Sequence, residues 1–550
     1  MSRWNFGDVW ETVADVQPDA PALVHGSHRR TWREFDQRAD NVGRWLLGAD
    51  VAGQDKIALY LYNCPEYLEA SYAAYKCGLV PINTNYRYAD DELVYLWENA
   101  DAVAVVFHGV FVERIEGIRD RVGGVHSWLW VDDGTATCPP WAVPYEVAAE
   151  TTGSAGAGGH QRVRAPWGRG PDDVHMLYTG GTTGMPKGVM WRQDDLFARL
   201  NGGGFRRYPS EGTIDDVRAE LTANGPGITL LPACPLMHGT GCFTAMECLS
   251  EGGRIVLLSG RQFDPAELLD TIERERVNCT VIVGDAFARP LLAALDAEPG
   301  RWDLSSLVGI ISSGVMWSEE TKQGLLRHHP GMLLVDAFGS SEALGLGTSV
   351  SSGTKSAKTA QFTLGPDVRV VDEDGRDIVA GSGQVGVLAL GGRIPVGYYK
   401  DETKTHATFK IIDGTRYSVP GDYAEVRDDG SIHLLGRGSV CINTGGEKVY
   451  PEEVEEVVKT ADGVLDAVVV GIPDDRFGEA IVAVVQIGPD VAAHSVSAET
   501  VIDHVKGRLA SYKAPRRVRF VETIGRSPSG KVDYARHRGE TAEWLGVPLD

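Results

Sequence analysis

Short apolar runs alternate with helix-period segments through most of this chain, and that alternation constrains the fold more than any other feature. Residues 31–47 carry apolar positions at helical spacing, and Lys56-Ile-Ala-Leu-Tyr-Leu61 follows as a run of strand length. Residues 66–77 return to the helical period, and Leu79-Val-Pro-Ile82 and Ala102-Val-Ala-Val-Val-Phe107 read as further strands. The pattern resumes with apolar runs at 228–232, 254–258, 280–283 and 307–311, interleaved with helical segments at 265–275 and 318–328. Such order predicts a parallel sheet with helices on its faces. From about 346 to 435 the strands shorten and Asp374-Gly, Asp413-Gly and Asp429-Gly mark turns, which predicts a small β-barrel-like region. Beyond it lies an α+β segment. Its helix opens at Pro451-Glu-Glu-Val-Glu-Glu-Val-Val458, with proline and acids in the first turn. Strands at 466–471 and 481–487 and a helix at 498–510 follow.

One loop points to chemistry. Tyr178-Thr-Gly-Gly-Thr-Thr-Gly-Met-Pro-Lys-Gly188 packs four glycines, three threonines and a lysine into eleven residues, directly after the apolar run 174–177. Glycines let backbone N–H groups approach an anion, threonine hydroxyls add donors, and Lys187 adds a point charge. It is not a Walker loop, because Lys187 lies between Pro186 and Gly188 rather than before Ser or Thr. A flexible surface loop is the plain alternative, and the glycine and threonine density after a strand argues against it.

Composition limits the partners. With 550 residues the chain exceeds a single core, and two to four domains or subdomains are expected. A formal net charge of −23 argues against a nucleic-acid coat or an anionic membrane surface. The eight cysteines form no CxxC pair and no cluster with histidines at zinc spacing, so reduced core thiols in a cytoplasmic protein are expected. The N-terminus lacks a basic and then apolar leader, and no window reaches the roughly 20 apolar residues that span a bilayer. Residues 152–172, rich in Gly, Ala and Pro, read as a mobile connection.

The 178–188 string resembles the phosphate loop of the adenylate-forming superfamily, which holds acyl-CoA synthetases, peptide-synthetase adenylation domains and luciferases. The resemblance runs in order along nearly the whole chain. Pro235-Leu-Met-His-Gly-Thr-Gly241 is similar to the family's histidine motif, and Asp336-Ala-Phe-Gly-Ser-Ser-Glu342 to its adenine and magnesium motif. Gly397-Tyr-Tyr, Pro420-Gly-Asp422 and Gly436-Arg437 are similar to later nucleotide motifs. Residues 444–455 resemble the opening of the C-terminal domain, and Ser527-Pro-Ser-Gly-Lys531 the terminal lysine motif. Trp191-Arg-Gln-Asp-Asp-Leu196, Gly314-Val-Met-Trp-Ser318 and Thr444-Gly-Gly-Glu-Lys448 look most like actinobacterial acyl-CoA synthetases, some of which take steroid-like or long-chain acids.

What the resemblance implies can be stated residue by residue. Nucleotide contacts fall on Thr179, Gly180, Gly181, Thr182, Thr183, Gly184, Lys187, Gly314, Asp336, Phe338, Gly339, Ser340, Ser341, Asp422 and Arg437. Glu342 is the expected Mg²⁺ ligand, because a carboxylate beside a triphosphate needs a cation between them; a lone Ser-Ser-Glu caps a helix more often. Phe338 stands where the family commonly has tyrosine, which keeps a stacking ring and loses a hydroxyl. Two acceptor oxygens on Asp422 suit a ribose, although Gly-Asp alone is usually just a turn. Lys531 is the expected transition-state cation. His238 falls beside the acyl carboxylate, with a satisfied buried histidine as the competing view. Gly284, Gly314, Val315 and Gly339, with His238, are expected to line an acyl pocket, and Gly445, Gly446 and Lys448 to meet CoA. Ser439 falls at the hinge, where relatives often carry Asp or Lys. The stretch 506–538 holds ten Lys/Arg against Glu522 and Asp533, which fits a lid closing on phosphate or a solvated basic face. No aspartate occurs in 242–246, which favours a plain carboxylic acid over an α-amino acid.

The expected enzyme is an α/β acyl-CoA ligase using ATP, Mg²⁺ and coenzyme A. Its N-terminal domain covers 1–437, with α/β subdomains at about 1–170 and 171–345 and a β subdomain at 346–437; a mobile lid covers 438–550. The expected partner is a bulky apolar carboxylic acid, with homodimerisation left open. Three alternatives stand beside this: one half-reaction only, transfer to a carrier protein, and a non-catalytic nucleotide binder.

Overall fold

The protein is described by a computed structural model covering residues 4–150, 161–179, 185–315, 317–355, 357–437, 440–444, 447–474, 478–488, 496–527 and 530–549, with backbone alone at 437, 447 and 448. The expected connection at 152–172 lies partly outside these residues. So do Gly180, Gly181, Thr182, Thr183, Gly184, Ser439, Gly445 and Gly446.

Two large sheets form the body. The first has eight strands. Lys56–Tyr60, Val80–Asn83, Ala102–His108 and Ser127–Val131 run parallel, with Val174–Thr179 joined to Val80–Asn83. Lys187–Arg192 and Gly397–Tyr398 add an antiparallel edge. The second sheet has fifteen strands. Its parallel half contains Pro21–His25, Arg254–Leu257, Thr229–Pro232, Cys279–Ile282, Gly309–Ser313 and Leu333–Ser340.

The two sheets do not divide at residue 170, and the β region departs from the expected barrel. Pro21–His25 belongs to the second sheet, whereas Val174–Thr179 belongs to the first. Alternation predicts that strands are parallel; it does not say which sheet a strand joins. The β region is also no barrel. Ala343–Ser351 turns antiparallel to Leu333–Ser340 and leads through Gln361–Leu364 into Ile432–Arg437, Asp422–Val426 and Val385–Leu390. These strands extend the second sheet as an open surface.

Local chemistry explains the helix boundaries. Trp32–Leu47 starts at Thr31, whose hydroxyl accepts from Glu34 N while the Glu34 carboxylate accepts from Thr31 N, a reciprocal cap. Pro65, Pro265 and Pro451 sit in first helical turns, where a missing N–H costs nothing. Beneath the first helices Lys76 is fully buried, with Nζ 2.6 Å from Asp36, 2.8 Å from Asp40 and 3.2 Å from Glu11. Glu11 also binds Arg164 and Arg169, which fastens residues 161–170 to the body. Breaking such a buried network by removing one partner costs on the order of 3–5 kcal/mol.

The C-terminal lobe pairs Val464–Asp474 with Gly478–Ile487 and packs the helix Pro451–Lys459 on one face. Val454, Val458, Val469, Val485 and Val501 are fully buried between them. Each such side chain stabilises the lobe by about 1.5–3 kcal/mol, so it has a core of its own.

Candidate active site

A cavity of about 620 Å³ opens where strands of both sheets end. Val174–Thr179, Gly309–Ser313 and Leu333–Ser340 all run out into its wall, the usual ligand position in an open α/β sheet. Its lining also includes Gly525, Ser527, Lys531, Val532, Asp533 and Arg536 from the C-terminal lobe. The cavity is therefore a seam between two bodies.

The phosphate-loop residues 180–184 lie outside the described residues, but their frame is clear. Thr179 pairs with Lys187 across a β-hairpin of Val174–Thr179 and Lys187–Arg192. A hairpin holds the loop by both ends, with no helix following directly as it does in a Walker loop. Lys187 Nζ lies 3.3 Å from Asp401 and 5.9 Å from the centre of the Tyr398 ring. Tyr398 in turn donates its hydroxyl to Glu342 Oε1 at 2.8 Å, and the Ser418 hydroxyl donates to the Glu342 carbonyl at 2.6 Å. Motifs far apart in sequence are joined through one tyrosine.

Gly314, Phe338, Gly339, Ser340 and Ser341 line the cavity with Thr179 and His238. Gly314 needs its lack of a side chain, since its φ is +94°. Trp191 Nε1 donates to the Ser341 carbonyl at 2.9 Å, which anchors this turn on the hairpin. Ser340 Oγ is buried without a hydrogen-bond partner among the described residues, as a donor awaiting a ligand oxygen would be. Phe338 packs on Phe362 with ring centres 5.4 Å apart.

His238 precedes the helix Gly239–Ser250. Burial, with a smaller contribution from Lys531, pushes its pKa down to about 3. The imidazole is therefore neutral, and Lys531 is close enough to act on it. Gly530 explains how the lysine is delivered: its φ is +71°, and a Cβ there would meet Val283 and Val315 at 3.2 and 3.3 Å. The lysine loop is seated on the large domain.

Other expected residues fall elsewhere. Asp336 does not line the cavity; it is buried with its carboxylate 3.2 Å from Lys322 Nζ, and burial pushes its pKa up to about 6. Its sequence position beside the lining residues hid that it points the other way. Gly284 is the N-cap of the helix Asp285–Ala297 and its N–H donates to Ser312 Oγ at 2.9 Å, while its neighbour Val283 lines the cavity. Val315 lies under the Gly530 loop. Asp422 is buried on a strand paired with Ile432–Arg437, away from the lining. Of Arg437 and Lys448 only the backbone is described. The basic run 506–538 is largely neutralised within the lobe: Lys513 pairs with Glu453, Arg526 with Asp466 and Arg538 with Glu479.

Sequence reasoning missed the inner end of the cavity. Leu200, Gly203, Thr244, Glu247 and Ile311 line it, from helices Gln193–Gly203 and Gly239–Ser250 and one strand. The i, i+4 spacing of Phe243 and Glu247 shortly after His238 was the available signal.

The donor set fits Mg²⁺ only in part from the protein. Among the described residues no group of three or more His, Cys, Asp or Glu could hold a metal. One carboxylate, Glu342, with phosphate oxygens and water completing the shell, is the arrangement these residues admit. No helix among the described residues is long and apolar enough to cross a membrane, and the cysteines are free, with six of the eight buried.

Comparison with known proteins agrees with this geometry. The AMP-binding enzyme family matches residues 10–399, and the AMP-binding enzyme C-terminal domain matches residues 453–531. The chain is 38% identical to a 3-oxocholest-4-en-26-oate–CoA ligase of Rhodococcus rhodochrous, over 98% of this chain and 96% of that one. It is 39% identical to a medium/long-chain-fatty-acid–CoA/3-oxocholest-4-en-26-oate–CoA ligase of Mycolicibacterium smegmatis, over 98% and 97%. Its fold matches that of the anthranilate CoA ligase AuaEII in complex with anthranoyl-AMP, with a TM-score of 0.82 and 19% identity over 100% and 99% of the two chains. The chain belongs to the AMP-binding enzyme family, among its AMP-forming acyl-CoA ligases.

Proposed function

We propose that this chain activates a bulky apolar carboxylic acid and runs both half-reactions in the one cavity. The carrying observation is that Lys531, from the C-terminal lobe, lines the same cavity as His238 and Ser340 of the large domain. A substrate carboxylate oxygen attacks the α-phosphorus of ATP; the O–P bond forms as pyrophosphate leaves. Negative charge gathers on the phosphoryl oxygens, and Lys531 offsets it. Neutral His238 orients the carboxylate without repelling Lys531. Glu342 would hold Mg²⁺, which would neutralise phosphate charge. Lys187 exchanges Asp401 for phosphate.

In the second step the CoA thiolate attacks the acyl carbon and AMP leaves. A second cavity of about 1010 Å³ shares Arg87 and Pro235 with the first, and includes His28, Arg30 and Arg261. Glu66, Asp132, Asp133 and Glu146 share that lining and Arg261 pairs with Asp133 at 2.8 Å, so Arg87, at the passage between the cavities, is the cation we assign to a CoA phosphate. The lobe withdraws Lys531 between steps, because one loop cannot both offset the phosphoryl charge and leave room for the thiol. Leu200, Phe243 and Ile311 suit an acid of the steroid or long-chain class for which the relatives are named.

Pyrophosphate exchange across fatty, aryl and polycyclic acids, with and without CoA, tests this. Exchange with at least one apolar acid and CoA ester as product are expected. Arg87→Ala should raise KM for CoA severalfold and lower exchange by a smaller factor. Ester formation only from supplied acyl-AMP would overturn the two-step reading.

A further inference from the structure

The inner end of the cavity holds a group that adenylation leaves without a task. Glu247 lies on the helix Gly239–Ser250, nine residues beyond His238; at about 1.5 Å per residue it sits roughly 13 Å deeper than the reacting carboxylate. Around it the wall is formed by Arg199, Leu200, Gly203, Phe243 and Thr244. Glu247 keeps some accessible surface, and that surface is cavity wall.

Its carboxyl makes no hydrogen bond or ion pair with any described residue, and the polar groups of the adjoining wall, Arg199 and Thr244, have partners of their own. Arg199 donates to the Arg393 carbonyl at 2.7 Å and lies 3.5 Å from Asp367. Arg207 donates to the Gly204 carbonyl at 3.3 Å. Thr244 donates to the Thr240 carbonyl at 2.7 Å. Glu251, one turn further, is a like charge. An interior carboxyl left in this state is a cost to folding, and the apolar wall supplies no structural return for it. Burial and Glu251 push its pKa well above the carboxylate range, against a weaker pull from Arg207. The neutral acid offers one O–H donor and acceptor oxygens.

We propose that Glu247 is a specificity-determining residue that hydrogen-bonds an uncharged oxygen, a ketone or a hydroxyl, at the end of the acid remote from its carboxylate. The proposal rests on the ligase reading, which places the reacting carboxylate at the His238 end. Glu247 O–H donates to a ketone, or its carbonyl accepts from a hydroxyl. A plain hydrocarbon tail reaching the same depth leaves the carboxyl unpaired, and sites built to hydrogen-bond a substrate group discriminate strongly against analogues that lack it.

The test uses the full chain and straight-chain acids of increasing length, each as the plain acid and as its (ω−1)-oxo, ω-hydroxy and ω-amino forms. Acid binding is measured by calorimetry, and CoA-ester formation gives kcat/KM. At the matching length the oxo or hydroxy acid should exceed the plain acid about tenfold in both readouts. Glu247→Leu should abolish that ratio and raise Tm, since it removes an unpaired interior carboxyl; Glu247→Gln should keep most of the ratio. Equal use of plain and oxygenated acids by the wild type, a preference for the ω-amino acid, or a Tm lowered by Glu247→Leu with the ratio intact would each overturn the proposal. Binding preference without turnover of any acid would sink the ligase reading and leave this inference standing. Turnover without far-end discrimination would do the reverse.

Discussion

At its outer end the cavity meets Lys531, Arg536 and Ser527, all from the C-terminal lobe; at its inner end it meets Leu200, Phe243 and Glu247, from two helices packed in the large domain. The outer end is assembled from two parts with separate cores. Its cations ride on a lobe with its own valine core, seated through Gly530 on Val283 and Val315. The inner end cannot separate, because its helices share the main core. On the proposed reading, the charges that act in the first step sit on the lobe, and the surfaces that meet the acid sit on the large domain.

The first way to break this contrast is to remove the movable cation. Lys531→Ala should lower acid-dependent pyrophosphate exchange by about 10²–10³-fold, the usual cost of deleting one transition-state donor. CoA capture of supplied acyl-AMP should be largely spared. Equal loss of both activities would mean that the lobe does not divide its labour.

A second experiment addresses the rigid end. Glu251 is buried behind Glu247, and burial pushes its pKa up to about 7. Because the folded pKa is raised, its favourable contribution is present below the unfolded value near 4.5 and is lost as pH rises through about 7. The difference corresponds to about 3 kcal/mol at pH 8. Glu251→Gln does not titrate, so its gain in Tm over the wild type should grow between pH 5 and pH 8. A gain that stays constant with pH would show that the inner end is wetter than its packing indicates.

The smallest expected effect sharpens the outer end. Lys187 and Asp401 are both about one-third exposed, and such pairs are worth about 0–1 kcal/mol. Asp401→Asn should tighten ATP binding by no more than about threefold, the effect shrinking with salt. A weaker ATP affinity would mean that Asp401 positions Lys187 rather than competes for it.

Much of this architecture was legible in advance, for identifiable reasons. The Thr31 cap, the first-turn prolines and the apolar strand runs are local signals, and the helices and strands begin within a few residues of them. The nucleotide-end residues stand in contiguous motifs, so Gly314, Phe338, Ser340 and Lys531 reach one cavity together. Asp336 stands between the lining residues Val335 and Ala337, and its carboxylate meets Lys322 instead. The pairing of the basic run 506–538 was hidden because its acids, Glu453, Asp466 and Glu479, come from earlier strands and a helix.

Residue order alone determined the class of fold, the Gly/Thr-rich segment between Thr179 and Lys187 and the lysine that closes the chain's last motif, since each depends on period or on neighbours within a few positions. Only the tertiary structure decided that the β region stays open, that Pro21–His25 crosses to the second sheet, and that Glu247 faces the inner cavity. Those outcomes depend on which surfaces meet across hundreds of residues, and a local pattern carries no record of its distant partner.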